Sequence, residues 1–195
     1  MFLAADLEGT ARVAHDLADR AADALGGQVA LLVNNAAEVS VAGTPDTDEA
    51  ALDRAWAVNV KAPFFLVARL APQMASRDSG VVVNIGSWMA GTGTNGLAAY
   101  TASKGALNVL TRNWAAAFGP AGVRVNAIVP GVVREDPSRP DPGSVVMAGT
   151  PYGRILPPEA VAAAAVYLAS DKARGVRGTF LDVDGGRGAV AVFLT

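Results

Sequence analysis

The chain has 195 residues, 51% of them hydrophobic, and its sixteen basic and eighteen acidic residues are interspersed to a formal charge of −2. That length suits one well-buried domain and is short for two, and with no basic stripe to meet a phosphate backbone nucleic acid is excluded as a partner. Cysteine is absent and His15 is the sole histidine, which together remove disulfides, thiol chemistry, a Ser-His triad and any usual zinc site.

The opening Met1-Phe-Leu-Ala-Ala5 is apolar but far shorter than a signal core, and the longest apolar run, Ala160 to Ala169, is half a membrane span. The reading is a cytoplasmic chain with no membrane partner. Phe2 to Ala5 reads as the tail of a strand ending at Asp6-Leu7, and Thr10 is a candidate cap for the next helix. In that helix Val13, Leu17, Ala21 and Leu25, backed by Ala14 and Ala18, share one face, and Gly26-Gly27 end it. His15 lies in its polar part and reads as a surface residue. Val29 to Val33 is apolar at every position, the pattern of a strand covered on both sheet faces. Asn34 and Asn35 close it with short amides that bind local backbone and hold a turn open.

Asp46-Thr-Asp-Glu49 supplies caps and first-turn acids for a helix running toward Met74, with Asn59 inside it and Pro63 the expected kink. Gly80 to Gly86 reads as a buried strand, which puts Ser87 at its carboxyl end, where open α/β sheets place their chemistry. Leu97 to Phe118 reads as a helix, so Tyr100 and Lys104, four apart, leave the same face. A free phenol ionises near ~10, and a neighbouring ammonium brings that value down toward useful acid-base chemistry. A hydroxyl, a phenol and an amine are thus placed where one reacting carbonyl meets all three.

The same helix carries apolar residues on more than one side, which suits a partner helix from a second subunit. Gly119-Pro120 stop it, Val123 to Val129 is the next strand, and Pro130-Gly131 turn out of it. Residues 132–157 are rich in Pro and Gly, with little periodicity, and read as a substrate loop over the site. Pro158 begins a helix through Ser170, Gly178 to Val183 is a last strand, and the tail Ala189 to Leu194 is apolar enough to be buried. Gly91-Thr-Gly-Thr-Asn-Gly96 matches G-x-G-x-x-G letter for letter. It is rejected as a dinucleotide loop because its glycines do not stand at the strand end and no acid closes the following strand.

Tyr100-x-x-x-Lys104 with Ser87 upstream resembles the signature of the short-chain dehydrogenase/reductase family. Asn34-Asn35-Ala36, Asn59 in Asn-Val-Lys-Ala-Pro-Phe-Phe, Asn126-Ala-Ile-Val-Pro-Gly131 and Asp182-Val-Asp-Gly-Gly186 are similar to further stretches of that family, in the same order. The resemblance runs from about Ala4 to Gly186. It implies a single α/β domain over 1–195, a Rossmann-like doubly wound parallel sheet. The fold is expected to be N-terminally truncated, because the family's glycine-rich βαβ unit would precede Asp6. Without its first two strands, Val29 to Val33 is expected to be a bare apolar edge.

The resemblance also implies hydride transfer between NAD or NADP and a small-molecule ketone or secondary alcohol, the choice of cofactor not being readable. Tyr100 would be the acid/base; Lys104 would lower its pKa and bind ribose hydroxyls. Ser87 would polarise the carbonyl oxygen, and Asn59 would hold a water that passes protons to Lys104. Asp6 would approach the adenine, and Asn34, Ala36, Pro130, Gly131 and Val133 would line the cofactor with Tyr100 and Lys104. Ala37 stands where the family has glycine. Glu135 stands where it has a threonine, a carboxylate that a pyrophosphate would repel. The Asn59 and Tyr100 helices would build a homodimer or homotetramer. The alternative is a non-catalytic interaction subunit that keeps this helix pair and binds cofactor weakly or not at all.

Overall fold

The computed structural model describes residues 1–7, 10–134 and 142–190. Four strands, β1 (Leu31–Asn34), β2 (Gly80–Ile85), β3 (Val123–Pro130) and β4 (Phe180–Val183), pair in chain order as one parallel sheet. Leu31 is opposite Val81, Val82 opposite Val125, and Ile128 opposite Leu181. The helices are α1 (Ala11–Ala24), α2 (Glu49–Trp56), α3 (Ala62–Ala75), α4 (Ala98–Phe118), α5 (Pro142–Ala148) and α6 (Pro158–Ala169).

Alternation along the strands divides the core in two. Val82, Val123 and Val125 point to the side of α1, α3 and α4, where Leu66, Val67, Leu70, Met74, Leu107 and Trp114 close over them. Val81, Val83 and Ile128 point the other way, onto Ala164 and Leu168 of α6. Parallel strands buried on both faces need helices on both faces, and the result is the doubly wound sheet that the sequence predicts. On the α6 side Arg124 reaches from β3 to the carbonyls of Leu168, Ala169, Ser170 and Ala173, satisfying the carboxyl end of α6 with a buried cation.

Five expectations change. Phe2 to Ala5 is not a strand; Phe2 is exposed, and Arg20 of α1 donates to the Ala4 carbonyl instead of a sheet neighbour doing so. The strand expected at Val29 begins at Leu31 and is not covered on both faces. Its Leu31 and Val33 share the face of Val81 and Val83 beyond the reach of α6, and remain 42% and 39% exposed. This strand is the apolar edge of the described sheet, the other form the sequence allowed.

In place of the kink expected at Pro63, the helix toward Met74 is interrupted by a π-helical turn, Ala57–Lys61, between α2 and α3. Pro63 follows that turn directly, in the first turn of α3. Finally, the segment 132–157 is not structureless. It contains α5 and bridges Val133 to Leu156, and Met147, Ile155 and Leu156 form a small core with Val132, Val133 and Ala160. At the chain's end Ala189 and Val190 are exposed rather than buried, while 191–195 lie outside the described residues, as does Glu135. Among the described residues no helix is long and apolar enough to cross a membrane.

Candidate active site

At the end of β2 the ladder continues one residue further, Gly86 N–H donating to the Ile128 carbonyl at 2.8 Å. Ser87 then turns the chain into a short 3-10 segment, Trp88–Gly91, its Oγ accepting from Met89 N–H at 3.2 Å. The hydroxyl is buried and fixed at the carboxyl end of the sheet. Helix α4 starts at Ala98, so Tyr100 lies in its first turn and Lys104 one turn on, both leaning over β2.

Lys104 is buried to 2% exposure, and its Nζ donates to the Ile85 carbonyl at 2.7 Å, 5.8 Å from the centroid of the Tyr100 ring. Burial, without a carboxylate to oppose it, pulls the ammonium down to a pKa of about 8. Burial also pushes the Tyr100 phenol above its ordinary value, and a hydrogen bond to Ser87 pulls it partly back. The expected lowering of the phenol by Lys104 is not what this arrangement shows. Desolvation is the larger effect, and the amine is committed to a backbone carbonyl instead.

Ser87, Tyr100 and Lys104 open together into one cavity of about 570 Å³. Pro130, Gly131 and Val133, expected at the cofactor, line it as well, and Ile85, Val161 and Ala165 make its apolar wall. Gly131 lets the chain pass close behind, since a Cβ there would come within 2.9 Å of the Asp184 backbone. Other expected residues are not brought to this cavity. Asn35 and Ala37 line it, not Asn34 and Ala36, because alternation at the end of β1 turns Asn34 into the core. Ala37 carries no strain from the missing glycine: among the described residues the one non-glycine at positive φ is Asp78. Asp6 is exposed and lies by α1 and the start of α3.

Asn59 does not line the cavity either. Its amide, buried in the π-helical turn, accepts from Glu38 N–H at 2.8 Å and donates to the Glu38 carbonyl and to Ser103 Oγ, both at 2.9 Å. Both amide hydrogens are thus used in holding α4, through the residue next to Lys104, against the chain after β1. Glycines 91, 93 and 96 do not line this cavity.

A further set of polar residues escaped the sequence reading. Asn34 Nδ2 donates to Asn84 Oδ1, and Asn84 Nδ2 to Thr111 Oγ1, both at 2.8 Å, joining β1, β2 and α4 inside the core. The signal was present: Asn84 shares a face with Val82, and Thr111 follows Lys104 by seven, two helical turns on one face.

Comparison with known proteins places these features in context. The sequence model of a family described as enoyl-(acyl carrier protein) reductase matches residues 2–187. The chain is 38% identical over 173 residues to 2-(S)-hydroxypropyl-CoM dehydrogenase 3 of Xanthobacter autotrophicus, covering 84% of this chain and 68% of that protein. It spans about two thirds of the length of such curated relatives. A solved short chain dehydrogenase/reductase family protein superimposes with a TM-score of 0.85 at 41% identity, over 97% of this chain and 77% of that one. A blue fluorescent protein from a metagenomic library, solved in complex with NADPH, superimposes with a TM-score of 0.88 at 30% identity, over 95% of this chain and 74% of that one.

Proposed function

Because the chain belongs to the short-chain dehydrogenase/reductase family, we propose that it transfers hydride between NAD or NADP and a small-molecule carbonyl or secondary alcohol. The observation that carries this reading is the convergence of Ser87, Tyr100 and Lys104 on one cavity at the carboxyl end of a parallel sheet. The cavity fits the nicotinamide end of such a cofactor, with an apolar wall of Val133, Val161 and Ala165 for a flat ring and the three polar groups together beside it. When bound, the dinucleotide supplies or accepts the hydride.

The protein's share is proton transfer and charge stabilisation. Tyr100 gives its proton to the carbonyl oxygen in reduction and takes it back in oxidation, and Ser87 donates a hydrogen bond to the same oxygen. A phenol raised by burial is held protonated at neutral pH, which suits the reductive direction. Lys104, its pKa drawn to about 8, changes protonation more readily than a solvated lysine, and the charge it carries below that value favours the phenolate left after proton transfer. Asn59 serves as a positioning residue for α4. Leu52 and Trp56 of α2, exposed apolar residues that share a surface hollow with Ala102 of α4, support self-association through this helix pair.

The test is titration with NADH and with NADPH followed by nicotinamide fluorescence, then ketone-dependent loss of the reduced cofactor. Binding of at least one cofactor together with turnover is the expected result. A folded protein that binds neither would overturn the reading.

A further inference from the structure

At Trp88 a cation lies on an aromatic ring with no ion pair to any carboxylate among the described residues. The guanidinium of Arg187 stacks on Trp88, 4.7 Å from the ring, and Trp88 directly follows Ser87. The Arg187 Nε is buried and has no hydrogen-bond partner. The nearest acid in sequence, Asp184, is turned to the backbone and forms no ion pair with Arg187. Its two oxygens accept from Gly186 N–H at 2.8 Å and Gly188 N–H at 2.6 Å. Among the described residues the ion pairs are Arg20–Asp16 and Arg69–Asp19, both far along the chain from this place.

The position of Arg187 is fixed rather than incidental. Its N–H donates to the Asp184 carbonyl at 3.2 Å, and the preceding turn is packed so closely that a Cβ on Gly186 would stand 2.7 Å from Pro151. Tyr152 N–H also donates to the Gly185 carbonyl at 3.0 Å, tying this turn to the segment 132–157. Neither Arg187 nor Trp88 lines the cavity assigned to the cofactor. The cation is thus tied to both sides of the site: through the Trp88 ring to the residue after Ser87, and through the Gly185–Tyr152 hydrogen bond to the segment read as the substrate loop.

A guanidinium has five N–H donors in a fixed fork, and a buried donor left unmade costs about 1–3 kcal/mol. An arginine on an aromatic face, with its donors unspent, is the usual way a carboxylate or similar anion is held. We propose that Arg187 is a specificity-determining residue that binds an anionic group on the substrate, so that the preferred substrate is a keto acid or hydroxy acid rather than a neutral ketone or alcohol. Trp88 is the platform that keeps the guanidinium in place. This rests on the oxidoreductase reading above for the position of the carbonyl at Ser87.

The experiment has a kinetic and a binding arm. In the first, a γ-keto acid and its primary amide are compared as substrates of the wild type, Arg187→Met and Arg187→Lys. The wild type is expected to favour the acid by at least about ten-fold in kcat/KM, mostly through KM, with the ratio collapsing in Arg187→Met and partly restored in Arg187→Lys. In the second, calorimetry measures binding of benzoate and of benzamide to the same three proteins without any turnover. Benzoate binding that is lost in Arg187→Met and weakened by salt supports the anion site even if no ketone is reduced, an outcome that would count against the oxidoreductase reading alone. Turnover with no preference for the acid, or benzoate binding indifferent to Arg187→Met, overturns this inference and leaves that reading standing.

Discussion

Lys104 Nζ is pinned to the Ile85 carbonyl at 2.7 Å, so the amine beside the reacting phenol is anchored to the last residue of β2. Helix α4 and the central strand therefore hold a fixed distance at the point where the chemistry is expected. The same bond takes an ammonium out of water, and burial lowers its pKa to about 8.

The first prediction follows from that value and its sign. Below about pH 8 the folded and unfolded chains both carry the proton, and the folded state bears the full desolvation cost, on the order of 3 kcal/mol. As pH rises from about 8 toward the ordinary value of 10.5, the unfolded chain binds more protons than the folded one, so stability increases. Tyr100 acts in the opposite direction, but only as pH rises past the ordinary phenol value of 10.0. Urea midpoints at pH 7.5 and 9.5 should therefore rise more for the wild type than for Lys104→Met. Equal slopes would show that the amine is solvated.

Tyr100→Phe removes the proton donor and leaves the ring in place. Turnover is expected to fall by about 10²–10⁴, while cofactor titration and the circular dichroism spectrum stay close to wild type. A variant that kept a tenth of its activity would put the acid/base elsewhere.

Thr111→Val is nearly isosteric and deletes the acceptor of Asn84 Nδ2. The amide is fully buried, so it loses a 2.8 Å hydrogen bond with no water to replace it. The expected cost is about 1–3 kcal/mol in chemical denaturation. Ser76→Ala, which removes a hydroxyl bonded on an exposed surface, is the control and should cost under about 1 kcal/mol.

Gly122→Ala tests the turn into β3. The residue has φ +78°, and a Cβ there would run into the backbone of Asp78. Strain and overlap together should cost more than about 2 kcal/mol, visible as a lower thermal midpoint with no change in cofactor affinity.

Much of the fold was legible because its signals are local. The continuous apolar runs of β2 and β3 and the length of α4 needed only periodicity, and they alone bring Ser87 against Tyr100 and Lys104. What was not legible depends on tertiary context. Helix α5 is hidden in a stretch whose prolines and glycines outweigh a short apolar run, Val145 to Ala148. Leu31 and Val33 have the composition of covered residues, yet their exposure depends on how far α6 reaches across the sheet. The direction of the Tyr100 shift failed for a similar reason: spacing shows that an amine is near but not that it binds Ile85, and says nothing of how dry the site is. That Asn35 and Ala37 rather than Asn34 and Ala36 face the cavity was not legible either, because the register of a strand's last residue decides which side it faces.

The wide turn at Ala57–Lys61 makes chain length itself a constraint. Ala51 and Ala55 of α2 are buried on one side of it and Ala62 and Leu66 of α3 on the other. The extra residue sets the angular phase between those two contact faces. Deleting one residue there would rewind the helix regularly and rotate everything toward the Asp48 cap by about 100°, carrying Ala51 and Ala55 into solvent and Asn59 away from Ser103. Substitution at an exposed position of this segment, such as Lys61, is thus far more tolerable than a change of one in its count.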